Sequence, residues 1–343
     1  RSTPLYSSAA SDVYKRQVLE SALLAEDGRV EEAWLRRAEG MAEHHAVIVH
    51  FPESLEAAVA ATELGLWHWD PKDEASGAEW WPGPEDLVTA RRFLVRASAT
   101  ELEPRTAEVV LAARLETGRL FRRMDEPERC VDLLVSTWDE VAGNPAVGTA
   151  ITDLSRGGVP LEDQVAELVL CWGDREAVDE AWAWLSARPD PVFARGMKVR
   201  FAAHLAENVR SPRAVDAYRR LVAESPESPD AAHLHATLLD LFIDASAFED
   251  AVAELPALHS RVAAGSSWAL AQGATQVEPL DPSSETVAVA GRAEAERVSR
   301  RLVGRLGEWL SDPQQRERAR LVGLRLDAAL AYLAAFPDTP EAQ

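Results

Sequence analysis

The residue types that most often carry chemistry are sparse in this chain and poorly spaced for it. Eight histidines occur among 343 residues. His44 and His45 are adjacent, so on a helix their side chains diverge by about 100°. His233 and His235 stand two apart, which also separates them on a helical face. A zinc-binding helix needs two histidines at i and i+4 with a carboxylate at hand, and no such pair is present. Asp70, Asp73 and Glu74 cluster without the alternating acids, central glycine and closing glutamate of a calcium loop. Gly28 and Gly157-Gly158 follow no strand pattern, so neither forms a phosphate cradle. No G-x-S-x-G elbow occurs, and neither Cys130 nor Cys171 has a histidine placed to activate it. These residues point to no catalytic centre, no metal site and no cofactor, and the chain is expected to be non-enzymatic.

Two cysteines in a chain of this length make neither a disulfide framework nor a cysteine-based zinc site. Cys130 and Cys171 therefore read as buried, reduced thiols, and the expected compartment is the cytoplasm. The eleven tryptophans carry more information. Gap-filling between packed helices accounts for most indoles. Trp182 and Trp184, two apart, cannot both face one hairpin groove, and adjacent Trp80 and Trp81 cannot either. One member of each pair is left for the surface, where an indole makes a natural anchor. Trp80, Trp81, Trp182 and Trp184 are the candidate partner-binding residues.

Acidic residues outnumber Lys and Arg by 57 to 36, for a net charge of −21. That balance argues against nucleic acid and anionic membranes as partners, and favours a basic peptide segment through charge complementarity. With 47% hydrophobic residues the chain can bury a substantial core, yet no apolar run approaches the roughly 20 residues that span a bilayer. Arginine supplies nearly all the positive charge, a bias that suits a GC-rich bacterial gene. The stretch from Arg292 to Leu326 is locally basic, with Arg297, Arg301 and Arg305 on one helical face.

These groups must be positioned by helices. Apolar residues recur at helical spacing almost throughout, in a background of Ala, Leu, Glu and Arg, which are strong helix formers. Breaks fall at Asp27-Gly28, Gly143-Asn144-Pro145, Gly173-Asp174, Pro189-Asp190-Pro191, Ser211-Pro212 and Ser225-Pro226. Short helices joined by tight turns make antiparallel neighbours. The expected class is all-α, built from antiparallel helical hairpins.

Ala214, Tyr218, Leu221 and Pro226 give a small residue, an aromatic four later, an apolar residue and a helix-ending proline. That run resembles the second helix of a tetratricopeptide repeat. Equivalent small residues stand at Ala181 and Ala251, 33 and 37 residues to either side, near the family period of about 34. Cys130 fits the same slot, with Gly118 and Phe121 upstream where the first helix carries a small residue and an aromatic. Ala33 follows a similar turn. Leu134, Leu185 and Leu255 replace Tyr218 in the other units. The resemblance implies hairpins stacked as a tetratricopeptide-like solenoid that binds a protein or peptide. It transfers no functional residue, because such arrays use different groove side chains in each case.

Ser7 to Gln17, SSAASDVYKRQ, resembles the in-frame translation of a sequencing-library transposase adapter. The expectation is a non-native tail over residues 1–17 fused to a fragment of a larger protein. The expected layout continues with a repeat array over 18–267, interrupted by a Gly/Pro-rich loop at 70–85. A linker follows over 268–285, then a basic helical hairpin over 286–337. The functional expectation is a scaffold binding a protein or peptide. The alternative is an accessory or regulatory region of an enzyme or signalling protein whose catalytic or DNA-binding domain lay upstream of residue 18.

Overall fold

The computed structural model describes residues 29–69, 84–154, 161–209, 211–273, 287–312 and 317–337. Every regular element among them is helical, which establishes the all-α class. In chain order they are α1 (Val30–His50), α2 (Leu55–Trp69), α3 (Pro84–Ser98), α4 (Ala107–Arg123), α5 (Pro127–Gly143), α6 (Pro145–Leu154) and α7 (Leu161–Asp174). There follow α8 (Val178–Ser186), α9 (Pro191–His204) with a π-helical continuation over Leu205–Val209, α10 (Arg213–Glu224), α11 (Ala231–Asp244) and α12 (Phe248–Val262). The last are α13 (Ser267–Ala271), α14 (Val287–Ser311) and α15 (Arg318–Ala335). None of the described helices is long and apolar enough to cross a membrane. The chain divides into two compact units, with the boundary between Ala177 and Val178. The expected tail over residues 1–17, most of the loop at 70–85 and most of the linker lie outside the described residues.

Local chemistry explains where helices start and stop. Proline opens α5 and α9, where its missing N–H is not needed. The Asp190 carboxylate caps α9 by accepting from the N–H groups of Val192 and Phe193 at 2.9 and 3.1 Å. Three helices end in the same turn. The N–H groups of Glu126, Ala177 and Ala247 reach back to the carbonyls of Phe121, Trp172 and Phe242 at 2.8, 3.0 and 2.8 Å. The residues before them, Asp125, Glu176 and Ser246, take the left-handed conformation with φ of 60°, 53° and 58°. This is the Schellman ending, which satisfies carbonyls left over at the helix end. Nine residues beyond each of these aromatics stands a fully buried small residue, Cys130, Ala181 or Ala251. At the end of α9 the turn is one residue longer: Ser211 N–H bonds the Leu205 carbonyl at 2.8 Å through the π-helical segment. Ala214 is again nine residues on, and is buried.

In the first unit α2 packs on α3, α3 on α4, and α2 also on α4; α4 then packs on α5, α5 on α7, and α4 also on α7. The first helices α2 and α4 thus each touch their own partner and the next first helix, while α6 lies as an addition against α4 and α5. Glycine makes two of these crossings possible. A Cβ on Gly118 would lie 3.2 Å from a Leu134 methyl, and one on Gly65 would collide with the Leu94 side chain. The joint between α4/α5 and α7 is reinforced by polar contacts and by a covalent bond. Glu167 of α7, itself buried, accepts from Arg122 of α4 at 2.6 Å, and a disulfide joins Cys130 of α5 to Cys171 of α7. The bond corrects the expectation of two reduced thiols: the stacking of α5 on α7 brings the two Cα atoms to 6.1 Å, within disulfide reach.

In the second unit α8, α9, α10, α11 and α12 pack in succession, then α14 covers α11 and α12, and α15 covers α12 and α14. Val298, Leu302 and Leu306 of α14 are fully buried, while Trp309 and Leu310 near its end are only half-buried. Gly291 seats α14 against α11, where a Cβ would fall 2.9 Å from that of Ala232 and would overlap Trp268. The basic face of α14 pairs with acids of α11. Arg297 binds Asp240 at 2.7 Å, and Arg301 binds both Asp240 and Asp244. The basic hairpin is therefore a layer of this unit's core. The expected linker also starts later than residue 268, because Trp268 lies in α13, is buried, and donates its indole N–H to the Ser228 carbonyl at 2.8 Å.

Candidate functional site

Of the four indoles expected to anchor a partner, Trp80 and Trp81 lie outside the described residues. Trp182 is buried, with 6% of its surface exposed, so its expected role as an exposed anchor gives way to a structural one. Its indole N–H donates to Glu224, while Lys198 and Arg220 stand over its ring at 5.1 and 5.9 Å. Lys198 is itself buried and pairs with Glu224 at 2.8 Å. This cluster ties α8, α9 and α10 together and leaves no ring face for a ligand. Trp184, on the opposite side of α8, is only half-buried, as the two-residue spacing requires. The Arg188 guanidinium lies 3.9 Å from its ring centroid, a cation–π contact supplied from within two turns of the same stretch of chain.

The described residues form a cleft in the second unit that no sequence motif announces. It has a volume of about 580 Å³ and lies between the end of α12 and the end of α15, with Arg292 of α14 on its wall. Its sides are apolar and small: Val262, Ala263 and Ala264 from α12 and the turn after it, Ala331, Ala334 and Ala335 from α15. Phe336 closes the floor, with His259 edge-on at 5.4 Å and the Arg292 guanidinium 5.4 Å from its ring centroid. Arg292 differs from its neighbours on α14. Arg297, Arg300, Arg301 and Arg305 each pair with a carboxylate, whereas no acid pairs with Arg292 among the described residues.

Behind the cleft runs a polar network. His259 Nε2 meets Ser299 Oγ at 2.8 Å, and Ser299 in turn donates to the Ala295 carbonyl at 2.7 Å. The serine proton is committed to its own helix, so the imidazole is the donor in this pair. That polarity is opposite to the one a nucleophilic serine requires, and Ser299 is fully buried. Deeper still, His235 contacts Glu254 at 3.0 Å and Arg261 at 3.4 Å. Burial, with the neighbouring His235, lowers the His259 pKa to about 4. The network is a satisfied structural one, and Arg292 is the chemically open group on the cleft wall. Both His259 and Arg292 were visible in the sequence, but their meeting across α12, α14 and α15 carries no sequence signal. No group of three His, Cys, Asp or Glu side chains among the described residues could hold a metal ion. No protein-family model and no curated protein matches this chain.

Proposed function

We propose that this chain is a non-enzymatic helical-repeat scaffold of tetratricopeptide-like design that holds a protein or peptide partner, with a basic segment favoured. The observation that carries the reading is the repeated hairpin grammar. A first helix ends in a Schellman turn after a buried aromatic, a buried small residue follows nine positions on, and in the first unit α2 touches α4 and α4 touches α7. Stacks of this kind offer first-helix side chains as one continuous binding surface. Charge supports the preference for a cationic partner, since carboxylates exceed basic side chains by a net 21 and the arginines of α14 are largely paired internally. The disulfide weakens the cytoplasmic expectation, because stable disulfides belong mainly to oxidising compartments.

The test is calorimetric titration of the full chain with short Arg-rich and short Asp/Glu-rich peptides. The Arg-rich peptide should bind, and its affinity should fall about tenfold or more from low to physiological salt as the charges are screened. Binding of the acidic peptide alone, or binding of the basic one without salt dependence, would overturn the reading. Point variants are the proper controls. Removing α14 and α15 would expose the core that Val298, Leu302 and Leu306 fill.

A further inference from the structure

We propose that the cleft between α12, α14 and α15 binds a carboxylate carried on a short aliphatic group, with Arg292 as its anchor. The cleft offers one cation against walls of methyl groups. A guanidinium binds a carboxylate through two parallel N–H···O bonds, and alanine-lined walls take an unbranched or small aliphatic chain. Arg292 has the geometry for this: it stands on the cleft wall, lies against the Phe336 ring, and has no acid among the described residues to neutralise it. Ring contact holds the guanidinium in place while leaving its edge donors open. His259 adds no second cation, because its imidazole stays neutral and its Nε2 proton is used by Ser299. One fixed positive charge suits a single negative charge, which favours a carboxylate over a doubly charged phosphate. The cleft volume of about 580 Å³ accommodates either of two sources: the C-terminal residue of a peptide, or a free aliphatic acid. Helices α12 and α15 both end at this cleft, and their C-terminal carbonyls attract cations. The competing role for Arg292 is therefore to offset those helix ends, with no ligand involved.

The test uses the intact chain and three pairs of probes: octanoate against octanamide, a leucine-ended peptide with a free carboxylate against its amide, and both acids against Arg292→Gln. At least one acid should bind by calorimetry, its amide should bind about tenfold more weakly, and Arg292→Gln should lose the same factor. Arg300→Gln, which removes a cation already paired with Glu296 on the same helix, should bind as the parent does. Ala334→Phe fills the cleft from an exposed position on α15 and should abolish binding while the thermal midpoint holds. Octanoate alone binding identifies a free acid, and the peptide alone binding identifies a chain terminus. The peptide arm rests on the scaffold reading and the octanoate arm does not, so the two can fail separately. If neither acid binds, or each amide binds as well as its acid, the proposal is overturned. It is equally overturned if Arg292→Gln lowers only the thermal midpoint, which would assign Arg292 to the helix ends.

Discussion

His44 and His259 sit in different units, yet burial does the same thing to both. Each has its pKa lowered from 6.5 to about 4, by burial first and by a neighbouring histidine second. In the unfolded chain they protonate near pH 6.5, while the folded chain resists protonation until about pH 4. Below pH 6.5 the unfolded state therefore binds more protons. The stabilisation from these residues is complete above that pH and is lost as the pH falls toward 4. A tenfold difference in proton affinity between the folded and unfolded chain is worth about 1.4 kcal/mol. Because His259 is partly exposed, about 2–4 kcal/mol in total is expected to disappear. Urea unfolding at pH 7 and pH 4.5 measures it, and His259→Gln should make the pH dependence shallower. An identical slope in the variant would contradict the assignment. At this scale the sequence was partly legible. The Trp182–Trp184 spacing separated one indole from the other, with Trp182 buried and Trp184 only half-buried. It did not reveal which indole would be buried, because that depends on Lys198 and Glu224 arriving from α9 and α10.

The helix-ending turns carry the next test. Asp125, Glu176 and Ser246 hold a left-handed backbone that costs residues with a Cβ about 1 kcal/mol or more. Glu176→Gly should therefore raise stability by about 0.5–1 kcal/mol, despite the greater freedom glycine gives the unfolded chain. A loss of stability in thermal unfolding would mean that the turn is not under this strain. The opposite change is expected inside the crossings. Ala214→Leu adds bulk to a position with 2% exposure and should cost about 1–3 kcal/mol; full tolerance would count against close packing of α10. The alanines at Ala181, Ala214 and Ala251 were legible because a small residue in a helical apolar stripe has few other uses. The turns were legible only at Gly173-Asp174. Asp125 and Ser246 adopt the same conformation without glycine, so nothing in their type announces it. The helix α6 was also hidden, and its insertion stretches the spacing from Cys130 to Ala181 to 51 residues, away from the period on either side.

Across the whole molecule, the disulfide and the C-terminal hairpin show where pattern reading stops. Cys130 and Cys171 are 41 residues apart, and only the stacking of α5 on α7 makes them neighbours. A loop of that length predicts about 4 kcal/mol of stabilisation on the chain-entropy account. Replacing both with alanine should lower the denaturant midpoint accordingly, whereas an unchanged midpoint would show that the bond adds nothing. The basic face of Arg297, Arg301 and Arg305 was legible in the sequence, but the helix it packs against was not. The pairing of Arg297 and Arg301 with Asp240 and Asp244 makes α14 a layer of the core, and it does not occupy a groove as a detachable ligand.

The scaffold reading is tested most directly by hydrogen–deuterium exchange on the full chain, with and without a saturating Arg-rich peptide. The stacked-hairpin account predicts slowed exchange concentrated in the first helices, α2, α4 and α7 in one unit or α9, α11 and α14 in the other. The Asp/Glu-rich peptide should leave the pattern unchanged. Protection confined to the second helices α3, α5, α10 and α12, or protection by the acidic peptide and none by the basic one, would contradict the account.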